Sequence, residues 1–205
     1  MSNKAILMSI QPKWCELIAN GKKTVEVRKT KPKLETPFKV YIYCTKGSPY
    51  LNRHNNRIYL EPKDTLGGRG YGTYERLSGE VIGEFICNKI DRISHCGTSN
   101  KDIRLKIVDK NWCFKELDYE YLNKCQLSYF DINEYTNGCD VYAWHISNLV
   151  IYDKPRELNN FYVPVKDYWE TYDPSNYING CWQKPLQKPP QSWCYIKNEV
   201  LKNDS

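Results

Sequence analysis

The sequence is poor in the residues that usually build metal, redox and membrane-spanning sites. It has three histidines and two methionines among 205 residues, and no two of its nine cysteines stand in C-x-x-C spacing. Cys139, Cys181 and Cys194, taken with a histidine, match no standard zinc-ligand spacing. No apolar run approaches the roughly 20 residues that cross a bilayer. We therefore expect no metal, no cofactor and no membrane association.

Cysteine usage also bears on the cellular compartment. The number of cysteines, nine, is odd, and nothing in the sequence resembles a secretory signal. Unpaired thiols that pack as small hydrophobic side chains are typical of a reducing environment. The sequence thus predicts a cytoplasmic protein.

Tyrosine and tryptophan are abundant, with 17 and 6 copies. Their rings fill volume while keeping a polar edge, so they suit base-stacking surfaces as well as protein cores. The 30 basic and 24 acidic residues give a net charge of +6, which permits an anionic partner without requiring one. This length and composition suit one globular domain with an extension.

Short strands dominate the predicted secondary structure. Branched and alternating apolar residues indicate strands at 4–10, 24–29, 38–45, 80–90 and 141–153. A first helix is predicted from Pro12, and Gly21 is suited to end it in the left-handed conformation. Four to six short strands with few helices favour an α+β fold built on a small, partly closed β-barrel.

Two stretches fall outside this pattern. Residues 91–140 read as a polar insertion of mixed helical character, in which Ser128 and Asp131 predict a capping box. Residues 155–205 are rich in proline and tryptophan, and free tails are poor in tryptophan. We expect residues 1–154 to form the domain and 155–205 to form an irregular extension packed on it.

The stretch GKKTVEVRK, residues 21–29, places charges on a predicted strand. Because strand side chains alternate, Val25 and Val27 should face a core while Glu26 and Arg28 share the other face. Lys23, Glu26 and Arg28 then offer a carboxylate between two cations. Such a group is either a ligand site or a simple ion-pair cluster on the surface, and the residues fit both interpretations equally well.

Gly21, Lys23, Glu26 and Arg28 reproduce the pattern G-x-K-x-x-E-x-R, which resembles the signature of the ASCH domain, a branch of the PUA-like superfamily. The segments VYIYCTKG, GEVIGEF, AWHISNLVIYDKP and KPPQSWCYI are also similar to segments of bacterial and phage ASCH proteins. The resemblance covers roughly the whole chain and is weakest over residues 91–140. It implies a PUA-like barrel whose cleft, beside the first helix and the motif strand, faces nucleic acid or a nucleoside.

The resemblance therefore implies an RNA- or nucleotide-binding protein. Lys23 and Arg28 would contact phosphate or carbonyl oxygens, and Glu26 would accept hydrogen bonds from a base edge. Further charge would come from Lys22, Lys29 and Lys31. The glycine-rich stretch GGRGYG could fold Arg69 and Tyr71 over a bound nucleotide, although a flexible hairpin connection accounts for the same glycines.

An enzyme is the alternative, since some ASCH members degrade single-stranded RNA. Lys23 and Glu26 would be the catalytic pair, with Glu26 as general base and Lys23 stabilising negative charge. In the related acetylcytidine amidohydrolases the catalytic lysine matches Lys23, but the catalytic threonine falls on Glu26, which argues against that activity. The third hypothesis is a protein-interaction adaptor that uses the aromatic C-terminal segment. His145 is expected to be structural, because no acid partner for it can be recognised.

Overall fold

A computed structural model describes residues 4–61, 74–96, 104–108, 113–164, 177–178 and 181–197. Its helices are α1 (Pro12–Ala19), α2 (Tyr119–Cys125) and α3 (Tyr129–Thr136), with a 3-10 turn at Leu158–Asn160. The strands, in chain order, are β1 (Lys4–Ile10), β2 (Val25–Arg28), β3 (Phe38–Cys44), β4 (Tyr50–His54), β5 (Arg57–Glu61), β6 (Glu75–Arg76), β7 (Val81–Cys96), β8 (Arg104–Val108), β9 (Phe114–Glu116), β10 (Val141–Arg156), β11 (Tyr162–Pro164), β12 (Tyr177–Ile178), β13 (Cys181–Pro185) and β14 (Trp193–Lys197). No helix among the described residues has the length and apolarity needed to cross a membrane.

The largest sheet is mixed, with the strand order β14-β1-β3-β7-β10-β2. Off this path, β8 pairs with β7, and β9 pairs with β8. β1 runs parallel to β3, pairing Ile6 with Val40, and antiparallel to β14, pairing Ile6 with Tyr195. The α+β class predicted from the sequence is confirmed. Over the described residues the sheet is not closed into a barrel, because β14 and β2 stand at opposite ends of the strand order.

The described residues divide into two compact units. Unit 1 takes those within 1–16, 39–85 and 150–205, and unit 2 takes those within 17–38 and 86–149. The core of unit 1 is built from Ala5, Leu7, Tyr41, Tyr43, Val81, Phe161 and Ile196. The core of unit 2 is built from Val25, Val27, Ile93, Leu105, Ile107, Leu117, Tyr121, Cys125, Ile132, Val141 and Ala143. The predicted boundary at residues 154 and 155 differs from this partition and stays a prediction.

Local sequence explains the first elements. Pro12 begins α1, where its missing N–H is not needed, and Gly21 follows the helix with φ of 69°. Ser128 caps α3 in a capping box with Asp131, while Leu127 packs against the core cluster that holds Ile132. These predicted boundaries are confirmed by the structure.

Two regions are more regular than the sequence suggested. The polar stretch 46–79 contains a three-stranded sheet of order β5-β4-β6. Its hairpin turns at Asn55 and Asn56, whose φ angles are 48° and 61°. In the C-terminal segment, where we expected irregular chain, the described residues form β11 to β14, and β14 pairs with β1 over five residues.

Candidate functional site

The motif strand β2 is anchored at its start by backbone hydrogen bonds. The N–H groups of Lys22 and Lys23 both donate to the Leu17 carbonyl, at 2.8 and 3.0 Å. The Thr24 N–H donates to the carbonyl of Lys124 at 3.0 Å, and the Thr24 carbonyl accepts from Ile146 at 2.9 Å. The chain therefore leaves α1 through a tight turn at Gly21 and enters β2 in a fixed position. All of these residues belong to unit 2.

Lys23, Glu26 and Arg28 converge, and Glu26 lies between the two cations. Glu26 Oε2 is 3.4 Å from Lys23 Nζ, and its Oε1 is 3.1 Å from Arg28 Nε. The Lys23 and Glu26 side chains are only 2% and 7% exposed, while Arg28 is 11% exposed. Val25 and Val27 face the core of unit 2, as strand alternation predicts.

Lys23 also donates from Nζ to the carbonyl of Cys125, the last residue of α2. A lysine ammonium has no acceptor capacity, so a carboxylate and a carbonyl are suitable partners for it in a buried position. Burial raises the pKa of the nearby Cys125 thiol to about 12, with Lys23 opposing the shift and Glu26 adding to it. The thiol is therefore protonated at neutral pH and is not a nucleophile.

Exposed lysines extend the positive charge of this group. Lys22, Lys29 and Lys31 are all exposed. Lys29 Nζ lies 5.1 Å from the centre of the Tyr135 ring, and Lys31 Nζ lies 5.5 Å from that of Tyr142. These two cation–π contacts place basic side chains beside aromatic ones in this part of unit 2.

Tyr135 and Tyr142 are candidate site residues that sequence reasoning missed. Burial raises the pKa of Tyr135, Arg28 lowers it and Glu26 raises it, so the phenol lies within electrostatic range of both motif residues. Tyr142 pairs with Arg28 across the β10–β2 ladder. Strand alternation, which puts residues 142 and 144 on one face of the predicted strand, is a signal that could have indicated Tyr142. No local pattern links Tyr135, on α3, to the motif.

The remaining predicted residues fall elsewhere. Arg69 and Tyr71 lie outside the described residues, and their proposed role stays a prediction. His145 does have an acid partner, because its Nε2 lies 2.7 Å from Asp91 Oδ2. Asp91 also accepts a hydrogen bond from the Tyr121 hydroxyl at 2.9 Å and pairs with Lys89 at 2.8 Å. The partner was not recognised because it lies 54 residues away in the sequence.

Comparison with known proteins finds a family similarity in this region. A family model described as "ASCH domain" matches residues 8–60, which contain α1, the Gly21 turn and the motif strand. Over these residues the chain is similar to the ASCH domain. No curated protein sequence matches it significantly.

A solved ASCH structure is similar in fold. The crystal structure of ASCH from Zymomonas mobilis is similar at 17% sequence identity, covering 96% of this chain and 90% of its own, with a TM-score of 0.50. Two single-residue mutants of the same Zymomonas protein, one serine to alanine and one tyrosine to phenylalanine, match at 17% and 18% identity. They cover 95% and 94% of this chain and 89% and 90% of their own, with TM-scores of 0.49 and 0.48. The likeness to the first structure supports a common α+β ASCH fold and says nothing about ligand or chemistry.

Both oxygens of the Glu26 carboxylate face cations in this site. Glu26 has a cation on each oxygen, which holds a carboxylate in place as an acceptor for those cations. The catalytic roles predicted for Lys23 and Glu26 stay a prediction.

Proposed function

We propose that the ASCH domain binds RNA or a nucleotide through the phosphate groups, at a basic surface centred on Arg28. The observation that carries this proposal is the buried Lys23–Glu26–Arg28 cluster with its exposed lysine rim. The three exposed lysines of that rim place positive charge beside the cluster. An anionic ligand would neutralise this charge.

The burial of the cluster supports separate roles for its residues, some of which position Arg28 while others contact the ligand. Lys23 and Glu26 are almost fully enclosed, so they suit positioning Arg28 rather than reaching out to a strand. Glu26 fixes the Arg28 guanidinium from one side, which lowers the entropy that a flexible arginine loses on binding. Lys22, Lys29 and Lys31 would supply contacts to phosphate that do not depend on base sequence.

The proposal is tested by fluorescence anisotropy of a labelled single-stranded RNA across a salt titration. We expect affinity to fall with salt, and each of Lys22→Ala, Lys29→Ala and Lys31→Ala to lower the slope of that dependence by about 1. Lys188→Ala is the matched control, because Lys188 is an exposed lysine of unit 1. Displacement of the RNA by a mononucleotide would place a single nucleotide in the site.

Binding that is independent of salt would overturn the proposal, because phosphate contacts necessarily release counterions. An equal loss in the Lys188→Ala control would also overturn it, since this would show that charge anywhere on the protein is enough.

A further inference from the structure

The second surface of interest is one face of the β5-β4-β6 sheet in unit 1. Paired residues on neighbouring strands point to the same side, and Asn52 of β4 pairs with Tyr59 of β5 and with Arg76 of β6. Strand alternation adds Tyr50, His54 and Arg57 to this side. We name this set the tyrosine face. The opposite side carries Leu51 and Leu77, which are buried.

We propose that the tyrosine face binds single-stranded nucleic acid by base stacking. The proposal goes beyond the function of the Arg28 surface and does not rest on it, because it uses other residues in the other unit. The class of ligand follows from three features: exposed rings, an orphaned acceptor and an excess of positive charge.

The rings are available. Tyr50 and Tyr59 are 36% and 37% exposed. Tyr74, just before β6, is 50% exposed. The Arg76 guanidinium already stacks on Tyr50, with its central carbon 4.1 Å from the ring centre. A base would stack on this face of the Tyr50 ring by taking the place of the planar guanidinium.

Asn52 supplies the second, independent feature. It lies at the centre of the face with no exposed surface, and its Nδ2 donates to Glu61 Oε2 at 2.6 Å. A carboxylate can only accept a hydrogen bond, so the amide atom that faces Glu61 must be the nitrogen. The other terminal atom of the Asn52 amide is therefore the oxygen, Oδ1. Oδ1 is buried and has no hydrogen-bond partner among the described residues. A buried acceptor left unpaired is costly. Once the groups that cover it move aside, the exocyclic amino group of a base would satisfy it.

The charge of the face favours an anionic ligand over a neutral one. Arg57 and Arg76 are exposed, and they outnumber Glu61, the carboxylate that β5 places on this side and that accepts a hydrogen bond from Asn52. Exposed arginines beside exposed tyrosines are the combination that holds backbone phosphates while bases stack.

The test measures binding of a labelled oligocytidine of about ten nucleotides to the full chain by anisotropy. We expect Tyr59→Ala to weaken binding about ten-fold and Tyr59→Phe to bind like the original chain, because stacking needs the ring and not the hydroxyl. Tyr119→Ala, which removes an 84% exposed tyrosine of unit 2, is the matched control and should change nothing. Oligocytidine should bind several-fold more tightly than oligouridine, because cytosine carries an amino group where uracil has a carbonyl.

A second readout does not depend on folding of the variants. Photo-crosslinking of an oligocytidine that carries one thiolated base should label a peptide containing Tyr50 or Tyr59. Labels confined to peptides of unit 2, or an equal loss of binding in Tyr59→Ala and Tyr59→Phe, would overturn the proposal.

Failure of the tyrosine face is distinguishable from failure of the Arg28 surface. Loss in Tyr59→Ala with no effect of Lys29→Ala supports this face and contradicts the other site, and the reverse result contradicts this face alone.

Discussion

The negative charge of Glu26 stabilises the folded motif by pairing with two cations. Its carboxylate lies between Lys23 and Arg28 in an enclosed position. Glu26→Gln keeps the shape but leaves two buried cations facing a neutral amide, so we expect a loss of about 3–5 kcal/mol in the free energy of unfolding. Urea denaturation followed by circular dichroism measures it.

The matched control for that substitution is Glu120→Gln. Glu120 also pairs with a lysine, Lys124, but its side chain is 78% exposed. We expect little change there, because water and salt screen exposed pairs. Similar losses of unfolding free energy in the two variants would show that burial does not make the Glu26 ion pairs more important to stability than an exposed pair.

Asp91 gives unit 2 a stability that depends on pH. Burial alone would raise the pKa of Asp91, but hydrogen bonds from His145, Lys89 and Tyr121 outweigh it and lower the pKa to about 2, from an ordinary value of 3.8. A depressed carboxyl pKa stabilises the folded state above the ordinary pKa, and this stabilisation is lost as pH falls from about 4 towards 2.

We therefore expect Asp91→Asn to be less stable than the original chain by about 2 kcal/mol at pH 6, with the difference shrinking as the pH approaches 2. Urea unfolding at several pH values between 2 and 6 measures both curves. Parallel curves over that interval would mean that another group dominates the acid response.

The motif also shows how far single residues can be read from sequence. Alternation in β2 correctly placed Val25 and Val27 in a core, because it depends only on neighbouring positions. The burial of Lys23 could not be predicted, since its carbonyl partner on Cys125 lies 102 residues away. The Asp91 partner of His145 was missed for the same reason.

Among the elements, those with a local start or stop signal were predicted best. α1 follows its proline and ends before its glycine, and α3 has its capping box. The β4–β5 hairpin was missed, although Asn55 and Asn56 supply the two positive φ angles that a tight hairpin turn needs. Two asparagines are a weaker hairpin signal than asparagine followed by glycine, and the flanking strands are polar on one side.

Gly83 tests the packing of β7 against β10 in unit 1. A Cβ at Gly83 would collide with the Val150 carbonyl oxygen and lie within 3.1 Å of Ile151 atoms, and both contacts include backbone. Backbone cannot move aside as a flexible side chain can, so Gly83→Ala should lower the free energy of unfolding by about 1–3 kcal/mol. Thermal unfolding measures the change. An unaltered midpoint would mean that the two strands lie farther apart than described.

Over the whole chain, the C-terminal segment has a structural role that the sequence indicated only in part. Its tryptophans predicted packing, but the pairing of β14 with β1 joins residues separated by nearly the full length of the chain. Ile196 is buried in the core of unit 1, beside Ala5 and Leu7. Local sequence patterns do not indicate which distant strand pairs with β1, because the pairing closes a loop that contains most of the chain.

Deleting residues 191–205 should therefore destabilise unit 1 and promote aggregation. The deletion removes β14 and leaves the outer edge of β1 without its partner, and β1 is a long apolar strand of the kind that pairs with other chains when uncovered. Thermal unfolding and size-exclusion chromatography measure the two effects. Deletion of residues 198–205 alone is the control, because it keeps β14 and the pairing of Lys4 with Lys197. A monodisperse 191–205 deletion that unfolds at the original midpoint would show that β1 does not depend on β14, and the aromatic segment would then be free to act on a partner.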